Sequence, residues 1–280
     1  MYERKLLQGL VCLARVGVLA LSLVVSSPAQ ITIVQISDTH LGEKRAPHAA
    51  ENLRRAVDMI NQRRADAVIL SGDIGENPTA WRQAQSILKK LRTPLYIAPG
   101  NHDVHSSDLE SYRRVFGRDY YSFAIKGIIF IVINSQLLGN YDTYEAKTPE
   151  PLAPEAEVES ERMLAWLADL TGKTRNHVTI GVQHIPVFRD GGFPDSKPYW
   201  IISEPYRSRE MNLLERLGVK HMLVGHWHNG RVFEREGIAW HVAPATSWLP
   251  WGGELGFAIH TITPDGDVRT EFVALPGATP

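Results

Sequence analysis

The chain has 280 residues, of which 44% are hydrophobic and 22% are charged. This is the composition of an ordinary globular protein, long enough to bury a core without disulfides, and it excludes a disordered chain, a collagen and a multi-span membrane protein. With 30 Lys and Arg against 31 Asp and Glu, the formal net charge of -1 gives no electrostatic footprint for binding nucleic acid.

Residues 1–29 have the pattern of a secretory signal peptide. A positive region with Arg4, Lys5 and Arg15 is followed by an uncharged apolar stretch and then by the small residues Ser27-Pro28-Ala29. The segment predicts export to the periplasm or the medium, with an uncleaved membrane anchor as the alternative. The only cysteine, Cys12, lies inside it, so a processed chain would have no thiol chemistry.

Strands and helices alternate in the next part of the chain, as hydrophobic periodicity and turn signals indicate. We predict strands at 31–36, 67–70 and 95–98, and helices at 49–64, 79–91 and 108–116. A hairpin around Lys126-Gly127 then joins predicted strands at 120–125 and 128–133. The remaining predicted elements are helices at 154–170 and 206–217, strands at 178–182, 219–224, 231–235, 238–242, 255–262 and 267–273, and a long loop at 188–205. This order favours one α/β domain over 30–280, a sandwich with a mixed sheet and helices on its outer faces.

Polar residues follow five of the predicted strands. They are Asp38 and His40, Asp73, Asn101 and His102, His184, and His226 and His228. Taken singly each has an ordinary explanation, such as a helix cap, a turn or a core histidine. Ligands of α/β sheets bind beyond the carboxyl ends of strands, so together the residues predict one site at one edge.

These residue types suit a site for two metal ions. Carboxylates can bridge two ions, and imidazole suits Zn, Mn or Fe, whereas no cysteine thiolate is present outside residues 1–29. The period-two spacing of Asp38 and His40 lets both side chains reach one ion, while His226 and His228 could serve one ion or two.

These segments resemble the calcineurin-like metallophosphoesterase superfamily in their order, spacing and glycines. The matching segments are Asp38-Thr39-His40, Gly72-Asp73, Gly100-Asn101-His102-Asp103, His184 and Gly225-His226-Trp227-His228, within about 31–262. The resemblance implies a four-layer αββα sandwich with mixed sheets and a dinuclear centre. Asn134-Ser135-Gln136 and the segment after His184 are similar to a small single-domain branch that includes an animal serine/threonine protein phosphatase.

The resemblance also implies a role for each residue. Asp38, His40 and His228 would hold one divalent or trivalent ion (Mn, Fe or Zn), Asn101, His184 and His226 the other, and Asp73 would bridge them. His102 would stabilise or protonate the leaving oxygen. Asp103 would support this catalytic site, or would be a turn residue bonded to backbone. Glu76 stands where purple acid phosphatases carry a metal-binding tyrosine.

The function implied is hydrolysis of phosphate monoesters or diesters by attack of a metal-bridging hydroxide, with His102 assisting the leaving group. The substrate would be a phosphorylated small molecule or a phosphoprotein. The alternative is a non-catalytic scaffold of the same fold that binds protein partners, and the complete set of ligands favours the enzyme.

Further candidates concern the substrate. We expect His105, Asn134 and Trp227 to lie beside the site as substrate contacts, although a helix-cap neighbour, a supporting residue and a packing residue are their ordinary explanations. Trp248, Pro250 and Trp251 form either a substrate wall or a hydrophobic plug.

Overall fold

The computed structural model describes residues 30–104 and 109–280. The predicted signal peptide at 1–29 and the candidate substrate contact His105 therefore lie outside the described residues. Within the described part, no helix is both long and apolar enough to span a membrane.

The strands and helices follow the predicted order closely. The strands are β1 (Ile31–Ile36), β2 (Ala67–Ser71), β3 (Leu95–Ala98), β4 (Tyr121–Ile125), β5 (Ile128–Val132), β6 (Thr179–Val182), β7 (His221–Val224), β8 (Arg231–Arg235), β9 (Ile238–Val242), β10 (Gly256–Ile262) and β11 (Val268–Ala274). The helices are α1 (Ala49–Asn61), α2 (Pro78–Leu88), α3 (Leu109–Phe116), α4 (Pro154–Leu170) and α5 (Tyr206–Arg216), with 3₁₀ turns at Ser135–Leu137 and Pro198–Trp200.

The strands form two mixed sheets. The first has the order β11-β10-β1-β2-β3, in which β1, β2 and β3 are parallel and β10 runs antiparallel to both of its neighbours. The second has the order β4-β5-β6-β7-β9-β8, in which β5, β6, β7 and β9 are parallel and the two edge strands are antiparallel. The carboxyl ends of the parallel strands are where the predicted site residues begin.

Three apolar layers hold the sheets and helices together. Side chains such as Ile33 and Ile180 fill the space between the sheets. Helices α1 and α2 bury Leu53 and Ile87 against the outer face of the first sheet. Helices α4 and α5 bury residues such as Leu167 against the second sheet. The layering confirms the predicted four-layer αββα sandwich with mixed sheets.

Two helices end sooner than the spacing predicts. Helix α1 ends at Asn61 and α2 at Leu88, because the residues that follow close into turns bonded three residues back, such as Leu91 N to Leu88 O at 2.9 Å. Helix α2 begins at Pro78, and the Asn77 side chain accepts hydrogen bonds from the backbone of Thr79 and Ala80.

Candidate metal centre

The loops after β1, β2, β3, β6 and β7 meet at one place where the two sheets adjoin. Backbone hydrogen bonds join them directly: Asp38 N donates to Gly72 O at 3.0 Å, and Gly225 N donates to His184 O at 2.9 Å. All seven candidate ligands are buried. The first sheet supplies Asp38, His40, Asp73 and Asn101, and the second supplies His184, His226 and His228.

Most of the candidate ligands have a left-handed backbone. Positive φ values occur at Asp38 (52°), His40 (41°), Asp73 (54°), His226 (69°) and His228 (59°). This conformation costs about 1 kcal/mol or more for a residue with a side chain, although Asp and His tolerate it better than most. Such strain concentrates at functional sites, where it turns side chains toward a common point.

The donor atoms form two groups that share an edge. Asp38 Oδ1 lies 3.3 Å from His228 Nε2, and His40 Nε2 lies 3.2 Å from the same nitrogen. Asp73, His184 and His226 form the second group, in which Asp73 Oδ2 lies 3.1 Å from His184 Nε2. Because Asp73 Oδ2 is also 3.4 Å from His40 Nε2, it lies between the two groups, where a bridging carboxylate belongs.

The second nitrogen of each candidate histidine ligand is held by an oxygen. The pairs are His40 Nδ1 with Glu76 Oε1 (2.8 Å), His184 Nδ1 with Ser71 O (2.7 Å), His226 Nε2 with Tyr199 O (2.9 Å) and His228 Nδ1 with Trp248 O (2.8 Å). A carbonyl oxygen only accepts, so the bonded nitrogen carries the hydrogen and the opposite nitrogen has a lone pair free for an ion. This outer shell is typical of metal-binding histidines.

Two buried polar atoms at the centre have no hydrogen-bond partner among the described residues. They are His184 Nε2 and Asn101 Oδ1, both of which are ligand atoms that an ion would satisfy. Burial works to raise the pKa of Asp38, but His228 and His184 outweigh it and lower that pKa to about 2. An ionised carboxylate, orphaned acceptors and fixed imidazoles are a donor set that fits two metal ions.

Glu76 is a site residue that the sequence reasoning did not assign. Its Oε1 pairs with His40 Nδ1, and its Oε2 lies 2.7 Å from His102 Nδ1. Burial works to lower the pKa of His102, but Asp73 and Glu76 outweigh it and raise that pKa to about 9. Glu76 therefore fixes the ring of His102 and leaves Nε2 as the nitrogen that can act on a substrate.

Asp103, the other residue predicted as catalytic, does not line the cavity. Its carboxylate accepts hydrogen bonds from the backbone of Ile74 (2.8 Å), Gly75 (3.2 Å) and Gly100 (2.9 Å). It thus ties the loop that carries Asp73 to the loop that carries Asn101. The turn-residue alternative describes it better, and its part in the site is to position these loops.

Two predicted substrate contacts also lie away from the cavity. Asn134 is fully buried, where its side chain accepts from Gln136 N and donates to Asp119 Oδ2. Trp227 is fully buried too, with its ring centroid 4.3 Å from that of Phe193. Neither side chain lines the cavity beside the candidate ligands, because each turns inward to cap or pack.

A cavity of about 510 Å³ opens above the centre. His40, Asp73, Asn101, His102, His226 and His228 line its polar end. Trp248, Pro250 and Trp251 line it together with Tyr199 and Trp200, so the first three lie where a substrate wall would be. The 3₁₀ turn that carries Tyr199 was not predicted, since only its contacts with Asn101 and His226 in the folded chain reveal it.

Comparison with known proteins gives a consistent result. Residues 31–230 match the family model described as calcineurin-like phosphoesterase. The chain is 27% identical over 192 residues to the serine/threonine-protein phosphatase CPPED1 of Bos taurus, a match that covers 64% of this chain and 58% of that protein. It therefore spans under two thirds of the length of this curated relative.

A second relative is matched over more of its length. It is a protein of Fibrobacter succinogenes named as a probable cyclic nucleotide phosphodiesterase, 24% identical over 230 residues, with 77% of this chain and 80% of that protein covered. Among solved structures, a dimetal phosphatase from Danio rerio superposes with a TM-score of 0.64 at 16% identity, covering 88% of this chain and 99% of that one. The structural match shows a shared fold.

Proposed function

This chain belongs to the calcineurin-like phosphoesterase family, and from that premise we propose that it hydrolyses phosphate monoesters or diesters at the strand-end centre. The observation that carries the proposal is the position of Asp73, whose Oδ2 lies 3.4 Å from His40 Nε2 and 3.1 Å from His184 Nε2. One carboxylate shared by two groups of ligand atoms is the arrangement that a two-metal phosphoesterase requires.

We assign the residues of the centre to two ions in the way that the family resemblance implies. Asp38, His40 and His228 would hold one, Asn101, His184 and His226 the other, and Asp73 both. When bound, two such ions supply Lewis-acid charge for the phosphate oxygens and activate water for in-line attack.

His102 is the residue that we assign to the leaving group. Its backbone N–H donates to Asp73 Oδ1 at 2.9 Å, and its ring Nδ1 is held by Glu76, so both ends of the residue are fixed. The side chain lines the cavity without belonging to either group of ligands. Nε2 is thus the atom that would donate a proton or a hydrogen bond to the departing oxygen.

Catalysis is favoured over a scaffold that only binds partners. A protein that only binds partners would not require a complete set of metal ligands at the floor of an open cavity. It would also not require a histidine held in a fixed position beside those ligands. The described residues provide both, together with a carboxylate, Glu76, that keeps the histidine in place.

The test pairs metal analysis with kinetics on His102→Ala. We expect the metal content to remain near that of the wild type, while kcat falls by about 10²–10⁴-fold on an alkyl phosphate, the range of general acid catalysis. The loss should shrink on a nitrophenyl ester, whose leaving group departs without a proton. His48→Ala, at an exposed site on the surface, is the matched control.

Two outcomes contradict the proposal in different ways. Loss of metal from His102→Ala would mean that the residue is a ligand, whereas equal losses of kcat on both esters would remove the proton-donor role. Asp73→Asn provides the second check, because it should lower the occupancy of both ions; one tightly bound ion that is unaffected would contradict the dinuclear centre.

A further inference from the structure

An aromatic wall stands beside the candidate metal centre. We give this name to Trp248, Trp251, Tyr144 and Tyr199, which line the same cavity as the ligand atoms. Trp248 adjoins the ligands directly, since its ring centroid lies 4.8 Å from that of His228. The wall thus begins where a bound phosphate would sit and extends outward from it.

The outer part of the wall leaves large apolar side chains in contact with solvent. Tyr144 is 42% exposed and Trp251 is 37% exposed, so part of each ring is open to a ligand. Trp251 packs edge-on against Trp200, with 4.8 Å between the ring centroids. Tyr144 packs edge-on against Tyr199, with 5.3 Å between the ring centroids. These rings are therefore fixed before a ligand arrives, so little ordering would accompany binding.

The cationic groups nearest the wall are already paired. Arg45 makes a two-point ion pair with Glu43 at 3.1 Å, and its guanidinium lies 4.2 Å from the centre of the Trp248 ring. Lys197 lies 3.5 Å from the ring centre of Tyr144 and pairs with Glu145 at 3.3 Å. Their charges are offset by these carboxylates, so the two cations attract an anionic segment less than unpaired cations would.

We propose that the aromatic wall selects phosphate esters whose organic group is a flat aromatic ring, stacked against Trp251 and Trp248. This rests on the proposed function, since the metal centre would take the phosphate. The cavity of about 510 Å³ lies within the roughly 300–1,000 Å³ of pockets that hold small organic ligands. The substrate class is a small aryl or nucleoside phosphate, in preference to a phosphoprotein.

The primary test compares two phosphonates that are not hydrolysed. Benzylphosphonate and cyclohexylmethylphosphonate have the same carbon count and anionic group and differ in the flat ring. As competitive inhibitors of the wild-type enzyme, they should differ by about threefold to tenfold in favour of the benzyl compound, the worth of one aromatic contact. Trp251→Leu should lower this ratio, and Phe272→Leu, on the exposed face of β11, should leave it unchanged.

The outcomes separate this inference from the function on which it rests. Equal inhibition by both phosphonates, in an enzyme that hydrolyses nitrophenyl phosphate, would overturn the aromatic selection alone. Absence of hydrolysis of any ester by the metal-loaded protein would overturn the proposed function. A ratio that persists in Trp251→Leu, with metal content unchanged, would also refute the assignment of the wall.

A second experiment distinguishes nucleoside phosphates from aryl phosphates as the substrate class. Adenosine 5′-phosphate and ribose 5-phosphate both release a primary alcohol at ribose C5 and differ in the base, so a higher kcat/KM for the nucleotide would identify a base on the wall. Equal values, combined with the benzyl preference, would identify aryl esters. A phosphoserine peptide that exceeds both esters in kcat/KM would overturn the proposal in favour of a protein substrate.

Discussion

At the scale of single residues, Glu76 contacts both a candidate metal ligand and the candidate proton donor. One carboxylate oxygen pairs with the candidate ligand His40 and the other with the candidate proton donor His102. Burial works to raise the pKa of Glu76, but the two histidines outweigh it and lower that pKa to about 2. The group is therefore an anion that fixes two imidazoles at once.

Replacing this anion by an amide tests its positioning role. Glu76→Gln keeps the size of the side chain and removes the charge, so we expect kcat to fall by about 10–100-fold, the usual cost of losing an outer-shell partner. The pH profile of kcat should shift as well, a change that a merely structural role would not produce. Glu51→Gln, at an exposed position in α1, is the control.

The test of this role is to measure kcat against pH for both variants and to determine their metal content in parallel. An unchanged kcat and profile in Glu76→Gln would remove Glu76 from the mechanism. Glu76→Asp should restore kcat only in part, because the shorter side chain cannot reach the rings of both His40 and His102.

The sequence predicts which residues gather at the site but not how each side chain is oriented. Asp73 and His184 follow buried apolar strands, so their meeting at one edge follows from strand polarity. Asn134 also follows a strand, yet its side chain caps the 3₁₀ turn after β5. Glu76 was noted only for its position, because its two partners lie on other loops and only the fold brings them together.

At the scale of elements, the loops that carry the ligands depend on glycines placed beside them. A Cβ on Gly100 would lie 2.2 Å from Asp73 Oδ1, and a Cβ on Gly225 would lie 2.0 Å from Ser37 Oγ. At such distances a Cβ could be accommodated only if the neighbouring atoms shifted. The glycines of the motifs therefore provide room for the neighbouring strand end.

Gly100→Ala should disturb the centre through this contact. We expect overpacking to lower the free energy of unfolding by about 1–3 kcal/mol and the shift of Asp73 to lower the occupancy of both ions. Urea denaturation and elemental analysis measure the two effects. Gly172→Ala, where a Cβ meets nothing within 4 Å, is the control, and equal behaviour of the two variants would contradict the close-approach argument.

Elements were predicted well where burial on both faces gives a continuous apolar run, as in β1 and β2. The loop at 188–205 shows the opposite case. Its aromatic and proline content indicates a functional loop, but the contacts of Tyr199 in the 3₁₀ turn at Pro198–Trp200 with Asn101 and His226 form only in the folded chain. Contacts of that kind have no periodicity in a sequence.

At the scale of the whole molecule, a chain of polar side chains runs between the sheets. His221 Nδ1 lies 3.0 Å from His241 Nε2, and Thr270 Oγ1 lies between His241 Nδ1 (2.7 Å) and His260 Nδ1 (2.9 Å). Gln35 then links His260 to Ser71. Burial, followed by the charge of His221, lowers the pKa of His241 to about 3, and burial lowers that of His260 well below its usual value.

These pKa values predict that acid destabilises the fold. Below about pH 6.5 these histidines bind protons in the unfolded chain but stay neutral in the folded one. The free energy of unfolding is therefore highest above that pH and falls as the pH drops toward 3. The slope is about 1.4 kcal/mol per pH unit for each histidine. His260→Gln should lower the slope of unfolding free energy against pH between 6 and 5, and His48→Gln should not. Parallel curves for His260→Gln and the wild type would contradict this account.

The meeting of both sheets at one centre has a consequence for the topology of the chain. His40 and His228 are 188 residues apart in sequence, but their Nε2 atoms lie 3.2 Å apart. An ion held by both residues would therefore close most of the chain into a ring. A disulfide does the same, and the described residues contain no cysteine. Unlike a disulfide, a link through a metal ion is absent from the unfolded chain, so its contribution to stability is the binding free energy of the ion. A chelator would then act on this protein as a reductant acts on a cross-linked one, opening the ring without breaking a covalent bond.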